Sequence, residues 1–155
     1  MRFGADRLTI HAGDAVAWTN NEPAGPHTVT FLDNGQDVPF ELPGHRVNPL
    51  GKNPAGGALY GGSGYFNSGI LRPAPVPVAA RTYTLSFPKP GTYAYQCLIH
   101  DDLGMKATVE VLAATSGALP KAGGQPVSIE IAVAGLGLGL VGCGYLVRRT
   151  RQTRH

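Results

Sequence analysis

Six stretches of this chain alternate apolar and polar residues with a period of two, and that period constrains the fold more than any other feature. Leu8 and Ile10 alternate with Arg7 and Thr9, Val16 shares a face with Trp18, and Val29 shares one with Phe31. Further on, Tyr83, Leu85 and Phe87 alternate with Thr82, Thr84 and Ser86. Tyr93, Tyr95 and Cys97 then fall on one side of a run, and Ala107, Val109 and Val111 on one side of the next. Ala12-Gly13-Asp14, the polar loop from Asn20 to Pro26, and Pro88 to Gly91 supply turns between them. Successive side chains of a strand point to opposite faces, so this pattern predicts antiparallel strands with one buried face. Glycine (22) and proline (13) exceed a fifth of the 155 residues, which disfavours a helix bundle. The predicted class is all-β, a sandwich of two sheets.

The remaining chain divides by composition. Residues 33–80 interrupt the alternation with nine glycines and seven prolines. A structureless loop of that length does not suit a compact domain, so short strands or a helical turn are expected, packed by Phe40, Tyr60, Tyr65 and Phe66. The domain is expected to span residues 1–112, with 33–80 as its insertion, followed by a small-residue linker at 113–126. Residues 127–147 are apolar except for Ser128 and Glu130. As a helix this run would measure roughly 31 Å, enough for a bilayer core of about 30 Å, and a transmembrane helix is expected there. Arg148, Arg149, Arg151 and Arg154 stand in the tail at 148–155, which places the tail in the cytoplasm and the domain outside it. No apolar run near Met1 serves as an export signal, and a sandwich would be expected to hold another strand before Arg7. Additional upstream residues are therefore anticipated.

Charge excludes one class of partner. From Met1 to Pro126 nine Lys/Arg balance nine Asp/Glu, so the formal net charge of +3 comes from the arginine tail. A neutral domain with a basic tail is not an electrostatic nucleic-acid binder. The two cysteines are poor disulfide partners, because Cys143 lies within the apolar run. Cys97 is left as a lone thiol.

The neighbours of Cys97 give it a chemistry. His100 follows three residues later and Met105 five beyond that, in one tight loop between two strands; Met105 is the sole methionine after Met1. Thiolate, imidazole and thioether together suit a metal that changes oxidation state. Cu(I) favours sulfur, Cu(II) favours nitrogen, and two His with one Cys in a trigonal plane and a weak axial Met serve both. The second imidazole should come from a distant, sheet-fixed segment. His27 opens the strand toward Phe31 and is preferred over His45 in the insertion; His11 beside a turn and His155 in the tail are not expected to take part.

Residues 7–21 (RLTIHAGDAVAWTNN), 26–31 (PHTVTF) and 91–100 (GTYAYQCLIH) resemble the plastocyanin/azurin family of cupredoxins. The resemblance covers residues 7–112 apart from the insertion, and the Cys97/His100/Met105 spacing is the plastocyanin one. It implies a Greek-key β-sandwich holding one copper that cycles between Cu(I) and Cu(II). It also implies His27, Cys97, His100 and Met105 as ligands, with Thr28 bracing the ligand loop. The implied function is single-electron transfer between a redox-protein donor and acceptor outside the cytoplasm, with no catalysis. Leu119-Pro120-Lys121-Ala122-Gly123, the apolar run and the arginine tail resemble the sorting signal of sortase-anchored surface proteins, with Ala122 where that pattern has Thr. Anchoring to the membrane or cell wall by the C-terminus follows from either route.

Other chemistries fit less well. A thiol enzyme needs an activated Cys–His pair open to substrate, whereas Cys97 ends a strand on its inward face. Multicopper enzymes need more histidines than remain, and a binuclear site needs a second cysteine where Asp101 stands. A copper carrier or buffer using the same ligands is the alternative that the sequence leaves open. Docking is expected to be apolar, around His100, through Pro26, Leu98, Ile99 and Leu103.

Overall fold

The computed structural model describes residues 2–34, 36–114 and 126–131. Eleven short strands are present among them, and the one α-helix is a single turn. Strands β1 (Arg7–His11), β2 (Ala15–Asn20) and β3 (Thr30–Phe31) precede the insertion. Within it lie β4 (Glu41–Leu42), β5 (Arg46–Val47), helix α1 (Pro49–Lys52), β6 (Pro54–Ala55) and β7 (Phe66–Ser68). A 3-10 turn at Val78–Arg81 leads into β8 (Thr82–Ser86), β9 (Gly91–Gln96), β10 (Lys106–Leu112) and β11 (Val127–Ile131). A six-stranded sheet runs β1-β10-β9-β3-β7-β6, a three-stranded sheet runs β11-β2-β8, and β4 and β5 pair separately.

The alternating residues make the core. Ile10, Val16, Trp18, Leu85, Val109 and Val111 are all buried. Trp18 from the small sheet packs edge-on against Tyr95 at 5.3 Å and Phe31 at 6.0 Å from the large one. Two sheets joined face to face by interdigitating aromatics form the expected all-β sandwich.

The insertion is part of this body. Through β7 and β6 it extends the large sheet, with Phe31 opposite Phe66 and Thr30 opposite Asn67. Tyr60 is buried and lies 4.5 Å from Phe31, ring to ring. Asn48 caps α1 by accepting from the Leu50 N–H at 3.0 Å.

One expectation is corrected at the C-terminus. Val127–Ile131, expected to open a transmembrane helix, forms a strand parallel to β2, with Ile129 opposite Trp18 and Ile131 opposite Asn20. The reason is visible in its own alternation. Ile129 and Ile131 are buried while Val127, Ser128 and Glu130 are exposed, a one-faced pattern that suits a sheet edge and wastes a lipid contact. Residues 132–147, the rest of the expected span, lie outside the described residues, as do the linker residues 115–125 and the arginine tail. Among the described residues no helix is long and apolar enough to cross a membrane. No strand forms ahead of Arg7 within residues 2–6. There Phe3 is buried against Tyr95 at 4.7 Å, and Gly4 lies so close to the Glu130 carbonyl that a Cβ would sit 2.2 Å from it.

Candidate metal centre

Cys97 follows the last residue of β9, and Lys106 opens β10, so the ligand loop is the turn of a hairpin whose strands pair Gln96 with Lys106. Backbone bonds fold the loop tightly. The His100 N–H donates to the Cys97 carbonyl at 3.2 Å, the Met105 N–H to the His100 carbonyl at 3.1 Å, and the Cys97 N–H to the Met105 carbonyl at 3.0 Å. Gly104, at φ 73°, takes the left-handed turn that side chains disfavour and so lets Met105 return beside Cys97.

His27 reaches the same place from the other side of the chain. It does not open a continuous strand as expected, since β3 starts only at Thr30. A two-way bridge holds it instead. The His27 N–H donates to the Leu71 carbonyl at 3.1 Å, and the Leu71 N–H donates back at 2.8 Å. Leu71 belongs to the insertion, so the insertion fixes one of the candidate ligands. The fully buried Asn20 pins the loop before His27. Its amide donates to the carbonyls of Gly25 at 2.9 Å and Leu71 at 3.0 Å, and its oxygen accepts from the Glu22 N–H at 2.9 Å. The one sequence signal for Asn20 is an amide ending the strand that carries Trp18.

These elements bring three groups together. Cys97 Sγ lies 3.7 Å from His27 Nδ1 and 3.5 Å from His100 Nδ1, and the three atoms lie within 4.8 Å of one another. His27, Cys97 and Met105 are fully buried, and His100 is half-buried. His45 is exposed in the β4–β5 hairpin against Glu41, and His11 is exposed on β1; neither approaches the cluster. His155 lies outside the described residues.

The electrostatics suit a metal. Burial, with His100 nearby, pulls the His27 imidazole down to about 4. Burial also lowers His100, against the opposing pull of Asp102. Both rings are thus held neutral, the form with a nitrogen lone pair to give. Burial pushes the Cys97 thiol up, against hydrogen bonds led by the Thr28 N–H, whose nitrogen lies 3.4 Å from Sγ. A protonated, enclosed thiol is the opposite of an activated nucleophile, whereas a metal displaces the proton on binding. Two neutral imidazoles and one enclosed sulfur fit copper by donor softness. Thr28 also accepts from the Leu98 N–H at 2.8 Å, so it braces the loop from its side chain as well as its backbone.

The face around His100 differs from expectation at one residue. Pro26 and Leu103 are exposed and Ile99 is half-buried, but Leu98 is buried. Helix α1 lies over it, close enough that a Cβ on Gly51 would sit 3.4 Å from Leu98 Cδ1.

A thiol–imidazole cluster at the hairpin end of an all-β sandwich defines a copper-binding class. The chain belongs to the plastocyanin/azurin family of copper-binding proteins, whose model matches residues 1–112. It is 30% identical over 110 residues to Amicyanin-alpha of Methylorubrum extorquens, covering 71% of this chain and 66% of that protein, just under two thirds of it. It is 31% identical over 110 residues to plastocyanin of Scenedesmus fuscus, covering 70% of this chain and 85% of that one. Among solved structures, a methionine-to-glutamine variant of amicyanin in the Cu(I) state is similar, with TM-score 0.46 and 22% identity over 72% of this chain and 74% of that chain. Copper is accordingly the metal, and His27, Cys97 and His100 form its ligand group.

Proposed function

We propose that this protein carries single electrons between redox partners outside the cytoplasm, with His27, Cys97 and His100 as equatorial ligands and Met105 as a weak axial one. The observation that carries the reading is the convergence of Cys97 Sγ with two imidazole nitrogens at 3.5 and 3.7 Å, brought together from the ligand loop and the His27–Leu71 bridge. Bound copper supplies a one-electron couple. The chain's part is to hold the donors still, so that little rearrangement accompanies the change of charge. His27 is held by Leu71, and Cys97 by Met105 and Thr28. His100, the half-buried ligand, gives the outlet toward a partner, with exposed Leu103 in its own loop and exposed Pro26 next to His27 in the chain.

The carrier alternative uses the same donors, and retention of metal separates the two. The full chain loaded with Cu(II) should bleach on taking up one electron per copper and keep its metal against a Cu(I) chelator. Release of Cu(I) on reduction would favour the carrier.

The extracytoplasmic location rests on the apolar run followed by Arg148, Arg149, Arg151 and Arg154. With β11 in the sheet, sixteen apolar residues (132–147) remain, short of the roughly 20 that a straight span needs. Sheet docking and membrane insertion therefore compete for Val127–Ile131. Protease added to intact cells should cut the copper domain, and a protected domain would place it inside. Mass spectrometry of the cell-bound protein then separates anchors: a chain ending at Ala122 means sortase processing, and an intact His155 means a membrane segment.

A further inference from the structure

A row of buried polar side chains runs from the insertion to the ligand loop. Asn67, Thr30 and Thr28 are each fully buried. The Asn67 amide nitrogen donates to the carbonyls of Leu50 at 2.8 Å, Gly51 at 3.0 Å and Asn53 at 3.0 Å, which together span α1 and its end. Asn67 Oδ1 lies 3.0 Å from Thr30 Oγ1, which in turn lies 3.2 Å from Thr28 Oγ1. Thr28 Oγ1 accepts from the Leu98 N–H at 2.8 Å, and the Thr28 N–H points at Cys97 Sγ from 3.4 Å.

The far end of this row fixes the orientation of the Asn67 amide. Carbonyls only accept, so the three of them fix which end of the Asn67 amide carries the protons. Asn67 Oδ1 must then accept from the Thr30 hydroxyl, whose one proton lies between Asn67 Oδ1 and Thr28 Oγ1. Thr28 Oγ1 in turn accepts from both the Thr30 hydroxyl and the Leu98 N–H. Asn67 thereby sets the orientation of a residue that touches the copper thiolate, although it stands in the insertion.

We propose that Asn67 is a positioning residue for the copper site, acting through Thr30 on Thr28 and so on the hydrogen bonds around Cys97. The proposal rests on the copper reading above and gives the glycine-rich insertion a role in tuning the metal. A donor on the thiolate sulfur draws off negative charge and favours Cu(I), so a loosened Thr28 lowers the reduction potential.

The test uses the full chain, copper-loaded for potentials and metal-free for hydrogen exchange. Asn67→Ala removes the anchor. Thr30→Val has the same shape, leaves the amide bonds of Asn67 to α1 in place, and serves if the first variant does not fold. Both should lower the potential, and in the double variant the shift should be that of Thr30→Val alone, because the relay is already cut. In the metal-free protein Leu98 amide exchange should quicken at least ten-fold in Thr30→Val. A merely structural Asn67 would lower the melting temperature and leave the potential unmoved, or add its shift in full to that of Thr30→Val. Either of these, or an unchanged potential and Leu98 exchange in Thr30→Val, overturns the proposal. Failure of the unmodified chain to form a thiolate–copper band would instead strike at the copper reading.

Discussion

Replacing Ile131 by Ala tests whether β11 belongs to the copper domain. Ile129 and Ile131 are 4% and 1% exposed, and the strand touches the small sheet only along β2. Burying two isoleucines contributes about 1.5–3 kcal/mol each. Ordering five backbone residues costs about 1 kcal/mol or more apiece, and ladder hydrogen bonds of similar worth offset it. The strand is therefore docked by a few kcal/mol. In a closed core an Ile→Ala change costs about 2–5 kcal/mol. Here the loss is capped by full release of the strand, so about 2 kcal/mol is expected. Urea unfolding of the metal-free full-length protein, followed by fluorescence of the buried Trp18 opposite Ile129, reads it directly. Ser128→Ala, on the exposed face of the same strand, should stay within about 0.5 kcal/mol of the parent. Equal midpoints for Ile131→Ala and Ser128→Ala would show that β11 is not docked.

Tyr83 carries a buried hydroxyl without a hydrogen-bond partner among the described residues, and burial pushes its phenol up to about 12. The unfolded phenol ionises near pH 10, so between about 10 and 12 the unfolded state loses a proton that the folded state keeps, and stability falls as pH rises. Tyr83→Phe should therefore gain on the parent across that window in urea midpoints; a pH-independent difference would refute the assignment. Met105→Leu should retain a blue site at a higher potential, measured by voltammetry, because losing a donor disfavours Cu(II). Complete loss of copper in that variant would argue against an axial role. Nine Lys/Arg balance nine Asp/Glu from Met1 to Pro126, so electron-transfer rates should vary little with salt, and a fall by orders of magnitude toward physiological ionic strength would reveal a local charged patch.

What the sequence disclosed was local. Cys97, His100 and Met105 lie in one turn, so their relation is a spacing, and period-two alternation around Trp18, Leu85 and Val109 marks inward faces wherever the strands go. What it hid was pairing. Nothing in the string tells that Leu71 bridges His27 or that Asn67 reaches α1 and Thr30, because those contacts join segments more than ten residues apart. The apolar run at 127–147 conceals a strand at its start for a related reason. Its mean hydropathy dominates a long window, while the five-residue alternation that marks β11 gains meaning only when the edge of β2 is there to receive it.

A thiolate–imidazole copper site at Cys97 has a direct optical signature. The visible spectrum of the full chain after addition of one equivalent of Cu(II), alongside Cys97→Ser, reads it. The parent should turn blue, with an intense sulfur-to-Cu(II) charge-transfer band that saturates at one copper per chain, and the Ser variant should show none. An equally intense band in Cys97→Ser, or none in the folded parent, would contradict the account.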